Sequence, residues 1–293
     1  MKLIDTKALD WVTIGAHRTG TDDVKTDYIR FKRLYKGAIG TPGNFEFTVA
    51  QAVGTPPVPE HKHNFDQIRY SLTGAYQYKP GSVMQPGDLA YFPEGAYYGP
   101  EACVGDPIIL TLQFGGASGG GFMSMDELVR GSDELKRNGR FENGVYYRND
   151  GATADGYEAV WQHVKSAPIS YPAPRYHAPI LVHTYDFKWH TIAQGVFWQN
   201  LGVFTEARTE CAKLRLLPGA RHRYSEARRT TLAVVLSGRL AIDGAEHGEL
   251  VALSIEPNEA VEFEGRAQSD VLFLVLPDLL DCVQAPAASM AVA

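Results

Sequence analysis

Residues 61–74 read HKHNFDQIRYSLTG and residues 87–98 read GDLAYFPEGAYY, and these two stretches decide the fold. His61 and His63 are two residues apart, so on a β-strand their side chains point to the same face. Two imidazoles on one face of a sheet can bind one metal ion. The pair therefore predicts a metal site on a strand.

The polar residues that follow extend this pattern. Gln67 and Arg69 lie an even number of residues from His63, so on a continuous strand all of these side chains would face one cavity. The chain can also turn between His63 and Gln67. Either arrangement predicts a polar cavity lined by this part of the sequence.

The first stretch resembles the first motif of the cupin superfamily. That motif runs from a glycine through His-x-His and three or four residues to a glutamate, and then through six residues to a second glycine. Here His61, His63, Gln67 and Gly74 occupy its positions, and Gly54 lies one residue further upstream than usual. The departure is that Gln67 replaces the glutamate.

The second stretch resembles the second cupin motif, which is a glycine, five residues, Pro-x-Gly, two residues and a histidine. Gly87, Pro93, Gly95 and Tyr98 match this spacing, with Tyr98 in place of the histidine. The resemblance implies an all-β chain built from cupin jelly-roll barrels. Its fold signal is stronger than its site signal, because two of the four usual metal ligands are substituted.

The resemblance also implies a ligand set of His61, His63, Gln67 and Tyr98 around one divalent metal ion. Fe(II) is the ion we expect, with Mn(II), Ni(II), Cu(II) and Zn(II) as alternatives. Neutral Gln67 is a weaker donor than a carboxylate, and Tyr98 adds a negative charge only as a phenolate. Either of these two residues could instead bind a substrate oxygen, and Tyr98 is also a candidate general acid or base.

Candidate substrate-binding residues surround this predicted site. The guanidinium of Arg69 suits a carboxylate or enolate, although an ion pair with Asp66, Asp88 or Glu94 is an equally good interpretation. Aromatic residues are frequent nearby, which favours a small, partly apolar or aromatic anion as substrate. The predicted substrate-binding residues are Arg69, Tyr76, Tyr78 and Gln113.

The chain of 293 residues is long enough for two barrels. Strand-like composition occurs at residues 28–35, 44–53, 67–78 and 108–114, and helical spacing at residues 125–137. We predict a first cupin barrel at residues 1–122 and a linker at 123–180, with its short helix followed by an irregular, proline-bearing stretch at 141–180. A second barrel is predicted at 181–293.

The second barrel is predicted to be a degenerate repeat of the first. Aligning Gly238 with Gly74 places Ser225, Ala227 and Thr231 where the first barrel has His61, His63 and Gln67. This set is not a useful metal site. His222 is predicted to be an exposed turn residue, and the role of this barrel to be packing.

Composition excludes several classes of function. The net charge is −6 and the pI is about 5.9, which gives no basic patch for nucleic acid or an anionic membrane. No apolar run is long enough to span a bilayer, and a cytoplasmic protein is expected. The three cysteines, Cys103, Cys211 and Cys282, are odd in number and widely spaced, so free thiols are expected. A homodimer that binds a small molecule fits these features.

Three functions remain open from the sequence. The first is a mononuclear Fe(II) dioxygenase. The second is a lyase, isomerase or hydrolase that uses the metal as a Lewis acid, or dispenses with it and uses Tyr98. The third is a non-catalytic protein that binds a small molecule in a degenerate pocket.

Overall fold

The computed structural model describes residues 1–13, 28–54, 58–142 and 144–278 and consists mainly of antiparallel β-strands. This confirms the all-β prediction with two cupin-like barrels and a short helical segment. The chain divides into two compact units. The unit formed by Asp10–Gly116 and Gly120–Thr184 is called the first barrel, and the unit formed by Met1–Leu9, Ala117–Gly119 and Tyr185–Ala293 the second barrel.

Twenty-two strands and two α-helices are found in the described residues. The strands are β1 (Lys2–Asp5), β2 (Val12–Thr13), β3 (Tyr28–Lys36), β4 (Phe45–Val53), β5 (Asp66–Lys79), β6 (Ser82–Met84), β7 (Leu89–Phe92), β8 (Ala102–Phe114), β9 (Gly139–Glu142), β10 (Val145–Arg148), β11 (Thr153–Asp155), β12 (Ile180–Val182), β13 (His190–Ala193), β14 (Val196–Phe204), β15 (Thr209–Leu216), β16 (Arg221–Ser225), β17 (Thr231–Ser237), β18 (Leu240–Ile242), β19 (Ala245–His247), β20 (Val251–Ile255), β21 (Ala260–Gly265) and β22 (Ser269–Val275). The helices are α1 (Met125–Leu135) and α2 (Gly156–Lys165).

The first barrel is built on an eight-stranded sheet. Its strand order is β12-β7-β5-β8-β4-β3-β2, with β6 paired to β5, and β9, β10 and β11 form a separate three-stranded sheet. The four predicted strands correspond to β3, β4, β5 and β8. Strand β5 lies between β7 and β8, so Gln67 and Gly74 of the first motif are placed in the middle of the sheet.

The second barrel has a seven-stranded sheet in the order β1-β20-β17-β22-β15-β14-β13 and a four-stranded sheet in the order β16-β21-β18-β19. Its core is formed by aliphatic side chains and phenylalanines from both sheets, for example Leu214, Leu253, Phe263 and Phe273, which are fully buried. This apolar core agrees with a barrel that is held together by packing.

Two edge strands cross the predicted domain boundaries. The prediction assigned residues 1–122 to the first barrel, but β1 pairs with β20 of the second barrel. It placed residue 180 in the linker and residues 181–293 in the second barrel, but β12 pairs with β7 of the first. The edge strand of a sheet has unpaired backbone N–H and C=O groups, and a short strand can bind there whatever its side chains are. The amino-acid composition therefore does not indicate which barrel such a strand joins.

The helix predicted at residues 125–137 is present as α1, and the stretch predicted to be irregular, 141–180, is irregular only in its second half. Helix α1 begins at a capping box in which Ser124 and Glu127 bond to each other's backbone N–H groups. Its first half contains β10, β11 and α2, whereas residues 166–179 form neither helix nor strand. Helix α2 forms because Asp155 caps its N-terminus and Trp161 packs into a small apolar cluster, and this packing joins residues that are distant in sequence.

Candidate functional site

The two predicted histidines precede β5 instead of lying on it. The chain bends at Asn64 and Phe65, so the histidines belong to a separate extended segment. This segment is paired with the second motif, because His61 N donates to Tyr98 O and Tyr98 N donates to His61 O, each at 2.9 Å. The turn that the sequence left open is therefore present, and the site is assembled from two segments.

The imidazole rings of the pair lie beside each other and beside Tyr98. Their centroids are 4.9 Å apart with the rings almost perpendicular, and the His61 and Tyr98 centroids are 4.3 Å apart. Nδ1 of His61 is 2.8 Å from the carbonyl oxygen of Pro59. Because a carbonyl only accepts, this contact places the ring proton on Nδ1 and makes Nε2 the acceptor nitrogen of the neutral ring.

Gln67 lies on β5 and is completely enclosed in a hydrogen-bond network. Its Nε2 donates to the Tyr98 hydroxyl at 2.8 Å. Its Oε1 accepts from Gln113 at 3.1 Å and from Arg69 at 3.2 Å. Gln113 is brought in by the register of the sheet, since it faces Gln67 directly on β8. The network therefore connects the two motifs to each other.

Arg69 is the centre of this network. Its guanidinium donates to the hydroxyl groups of Tyr76 and, at 3.3 Å, of Tyr98, and forms an ion pair with Glu101 at 3.4 Å. It also lies over the ring of Phe92, at 4.5 Å from the centroid. Burial alone would lower the pKa of Arg69, but its tyrosine and glutamate neighbours raise it above its ordinary value, so the group is a permanent cation.

Of the two predicted tyrosines of β5, only Tyr76 joins the network through its hydroxyl group. Burial raises the pKa of Tyr76 well above its ordinary value, so its hydroxyl stays protonated. Arg69 and Tyr76 are an odd number of residues apart, so on a regular strand their side chains would point to opposite faces. The pairing of β5 with β8 is irregular around Gly74, whose φ is +71°, and this irregularity lets the two side chains meet. The Tyr78 ring packs on Phe92 at 5.3 Å in the apolar cluster of the barrel.

Sequence reasoning did not find Glu101 or Phe92 as partners of Arg69. It offered Asp66, Asp88 and Glu94 as ion-pair partners, whereas Arg69 pairs with Glu101. Glu101 belongs to no motif, and its position follows from the backbone bridge between residues 58 and 101. Only the three-dimensional pairing could have identified it.

A buried acidic group lies behind the site. Asp66 and Glu94 are each about 1% exposed. Asp66 accepts hydrogen bonds from the Tyr91 hydroxyl and from the Glu94 backbone N–H, each at 2.7 Å, and Glu94 binds Arg175 at 2.8 Å. Burial, assisted by the charge of Glu94, raises the pKa of Asp66 to about 7.

The histidines fit a divalent metal ion better than the other two predicted ligands do. A ring nitrogen hydrogen-bonded to a backbone carbonyl, as Nδ1 of His61 is, is the usual arrangement of a metal-binding histidine. Gln67 does not fit, because both acceptor positions of its Oε1 are used by Arg69 and Gln113. The Tyr98 hydroxyl already accepts from Gln67 and from the Arg69 cation. Within the described residues, no group of three or more His, Cys, Asp or Glu side chains could hold a metal.

The second barrel has no comparable site at the equivalent position. Thr231, which aligns with Gln67, is buried and within 2.9 Å of the Tyr224 hydroxyl. The prediction of an exposed turn for His222 was wrong, because this residue lies on β16 and is half-buried, and burial lowers its pKa. Its ring faces Trp198 at a centroid distance of 6.2 Å.

Two of the three cysteines lie in the described residues, and both are free thiols, as expected. Cys103 is half-buried and Cys211 is buried, and burial raises the pKa of each thiol. Cys282 lies outside the described residues. None of the helices in the described residues has the length and apolar character to span a membrane.

The chain was compared with known proteins. No protein-family model and no curated protein matches it. Among solved structures it is similar to a candidate dioxygenase from Nostoc punctiforme, with a TM-score of 0.64 and 12% identity over 95% of this chain and 83% of the other.

Two further solved structures are also similar. Oxalate decarboxylase from Bacillus subtilis has a TM-score of 0.54 and 12% identity over 94% of this chain and 76% of its own. Protein Ylba from E. coli has a TM-score of 0.53 and 10% identity over 94% of this chain and 90% of its own. Together with the two barrels and the two motifs, this likeness shows that the chain has the fold of the cupin superfamily in its two-barrel, bicupin form.

Proposed function

We propose that the first barrel is a metal-dependent enzyme that acts on a small, partly apolar or aromatic anion, and that its ion is Fe(II), as in a mononuclear dioxygenase. The observation that carries this proposal is the pair of adjacent imidazoles, with Nδ1 of His61 bonded to a backbone carbonyl. Cupin proteins typically bind a divalent metal, which supports it. The similarity to a candidate dioxygenase agrees with it at the level of the fold.

In this proposal His61 and His63 hold the ion. Fe(II) bound there would supply redox chemistry with oxygen, and positions not filled by imidazole would be open to water or substrate. The carbonyl of Pro59 fixes the tautomer of His61. Gln67 is not a ligand but orients the Tyr98 hydroxyl beside the two rings.

The remaining polar residues bind and orient the substrate. Arg69 provides the positive charge that attracts an anion, and Glu101 offsets part of that charge. The Tyr98 hydroxyl is held by two donors, so its oxygen is well placed to exchange a proton with a bound molecule. The aromatic faces of Phe92 and Tyr76 beside the guanidinium exclude water and favour a partly apolar ligand.

Oxygen uptake tests this function. Protein loaded anaerobically with Fe(II) is mixed with a panel of small aromatic carboxylates and diketones, and oxygen consumption is followed together with product formation. We expect one substrate to give uptake that is lost in His61→Ala and kept in His222→Ala. Turnover of a substrate without oxygen uptake would exclude the dioxygenase.

A second candidate is a lyase, isomerase or hydrolase in which Tyr98 transfers the proton without a metal. The two hydrogen bonds that Gln67 and Arg69 donate to the Tyr98 hydroxyl favour it, because these donors occupy the oxygen that a metal would need. This candidate predicts turnover that survives a chelator and is lost in Tyr98→Phe. Loss of turnover on chelation, with recovery when the ion is restored, would exclude it.

A further inference from the structure

The segment of residues 171–176, which we call the strap, is a part of the first barrel that lies beside the histidine segment. At one end the ammonium of Lys62 lies between two aromatic rings, 4.9 Å from the Tyr97 centroid and 4.7 Å from the Tyr171 centroid. Lys62 is the residue between His61 and His63. The strap is therefore anchored directly to the segment that carries the two imidazoles.

At its other end the strap is anchored to the acidic group behind the site. Arg175 Nη1 is 2.8 Å from Oε1 of Glu94, whose side chain is only 2% exposed. Tyr176 packs edge-on against the Tyr91 ring at a centroid distance of 5.7 Å. A buried carboxylate next to a second one is costly unless a cation is close, so this ion pair stabilises the fold of the second motif.

Between the two anchors the strap touches the turn that holds His63. The Gly95 N–H donates to the His63 carbonyl at 2.7 Å. A Cβ added to Gly95 would lie 2.2 Å from the Pro172 carbonyl oxygen, so strap and turn are in close contact. The histidine segment is thus held by the second motif, and the second motif by the strap.

We propose that the strap positions the histidine pair, with Arg175 as the main positioning residue. The metal-binding role of the histidine pair is taken from the proposed function, whereas the positioning of the pair by the strap does not depend on it. Arg175 acts through Glu94, whose neighbour Gly95 holds the His63 backbone. Loss of the cation leaves the Glu94 carboxylate without this ion pair and releases the turn, so the imidazoles lose their mutual geometry.

The ring resonances of the two histidines test the inference without any metal. In protein with 15N-labelled histidine, at a fixed pH, we expect the imidazole signals of His61 and His63 to move in Arg175→Ala and to return towards wild type in Arg175→Lys. Arg148→Ala is the matched control, because it also removes an arginine–carboxylate ion pair from this barrel, here the exposed pair of Arg148 with Asp150. Signals that move no more in Arg175→Ala than in Arg148→Ala would overturn the inference.

A Ni(II) titration connects the inference to the proposed function. We expect Arg175→Ala to bind Ni(II) about tenfold more weakly than wild type, the usual cost of losing support around a metal-binding residue. If wild type does not bind Ni(II) but the histidine signals still move, the metal proposal fails and the positioning role stands. Unchanged signals overturn the positioning role whatever the affinity of wild type.

A second variant covers the case in which Arg175→Ala does not fold. Tyr171→Ala removes the ring over Lys62 without leaving a buried charge, whereas Tyr171→Phe keeps the ring. We expect the histidine signals to move in the alanine variant and to stay in place in the phenylalanine variant. Identical signals in both variants would overturn the role of the strap.

Discussion

Gln67 differs from the usual cupin glutamate by one atom, and the structure shows what that difference does. An amide can donate to the Tyr98 hydroxyl and accept from Arg69 and Gln113 at the same time. A carboxylate could not donate to Tyr98 in the same way. The glutamine therefore serves the network around Arg69, and the histidines are left as the best metal donors.

The variant Gln67→Glu should strengthen the binding of a divalent ion. A carboxylate has about four acceptor positions, so two would remain for the ion after Arg69 and Gln113 are satisfied. We expect Ni(II) to bind about tenfold more tightly, as measured by calorimetry, because a charged oxygen ligand is added. Gln77→Glu, on the same strand, adds the same charge as a control. Equal affinity of wild type and Gln67→Glu would mean that residue 67 does not reach the ion.

Asp66 should make the stability of the first barrel depend on pH. Its pKa is raised from 3.8 to about 7 in the folded protein, so between these values the folded chain binds more protons than the unfolded chain. The protonated carboxyl makes its full contribution to the free energy of unfolding below about pH 4, and this contribution is lost as the pH rises to 7. At about 1.4 kcal/mol per pKa unit, the loss is at most about 4 kcal/mol. The variant Asp66→Asn should remove this part of the fall.

Urea unfolding of the first barrel at pH 4.5 and pH 8 checks this dependence. We expect the free energy of unfolding to change less between the two values in Asp66→Asn than in wild type. Asp150→Asn, at the exposed end of the hairpin that follows β10, is the control and should behave as wild type. Equal changes in wild type and Asp66→Asn would show that the carboxyl titrates in its ordinary range.

The residues of the site were only partly predictable from sequence. His61, His63, Gln67 and Tyr98 were singled out as candidates because the cupin motifs have fixed spacings, and the structure brings all four side chains together. Their roles were not predictable, since these depend on Arg69. Arg69 forms its ion pair with Glu101, which is 32 residues away in sequence and lies outside both motifs.

The turn of the second motif is the element that joins the histidine segment to the strap. Gly95 has a φ of +80°, and its Cα faces the Pro172 carbonyl without room for a side chain. Gly87 has a similar φ of +92°, but open space lies around it. A comparison of alanine substitutions at the two glycines therefore separates the cost of the backbone conformation, which both share, from the cost of the close contact, which only Gly95 has.

Gly95→Ala should cost more stability than Gly87→Ala. Both variants place alanine in a left-handed conformation, at about 1–3 kcal/mol each. Only Gly95→Ala adds a steric conflict with the strap, at about another 1–3 kcal/mol. Thermal unfolding of both variants gives the comparison, and equal midpoints would contradict the close packing of the strap.

Elements were predicted well where local patterns decide and poorly where packing decides. Alternation identified β3, β4, β5 and β8, and the spacing of apolar residues identified α1. Helix α2 was missed, because its stability comes from the Asp155 cap and from contacts of Trp161 with distant residues. Strand β1 was missed and β12 was assigned to the second barrel, because each of them pairs with a strand that is distant in sequence.

Strand β1 belongs to the second barrel. Strand β1 adds four residues to the edge of β20, and Leu3 packs against the core of the second barrel. The large sheet of the second barrel thus includes a strand that precedes the first barrel in sequence.

Deletion of residues 1–9 should destabilise the second barrel. The edge of β20 loses its backbone partners, and Leu3 no longer covers the core. Each kcal/mol lost should lower the unfolding midpoint by about 4–8 °C. Hydrogen exchange of β20 amides gives a local measure. Unchanged exchange there, compared with a Lys7→Ala control, would show that β1 contributes nothing to this sheet.

The metal content of the purified protein tests the central claim most directly. Protein prepared without chelators is analysed by elemental mass spectrometry as wild type, as His61→Ala/His63→Ala and as His222→Ala. We predict about one equivalent of a divalent metal in wild type and in His222→Ala, and almost none in the double variant. Equal metal in wild type and the double variant, or none in wild type, would contradict the site at His61 and His63.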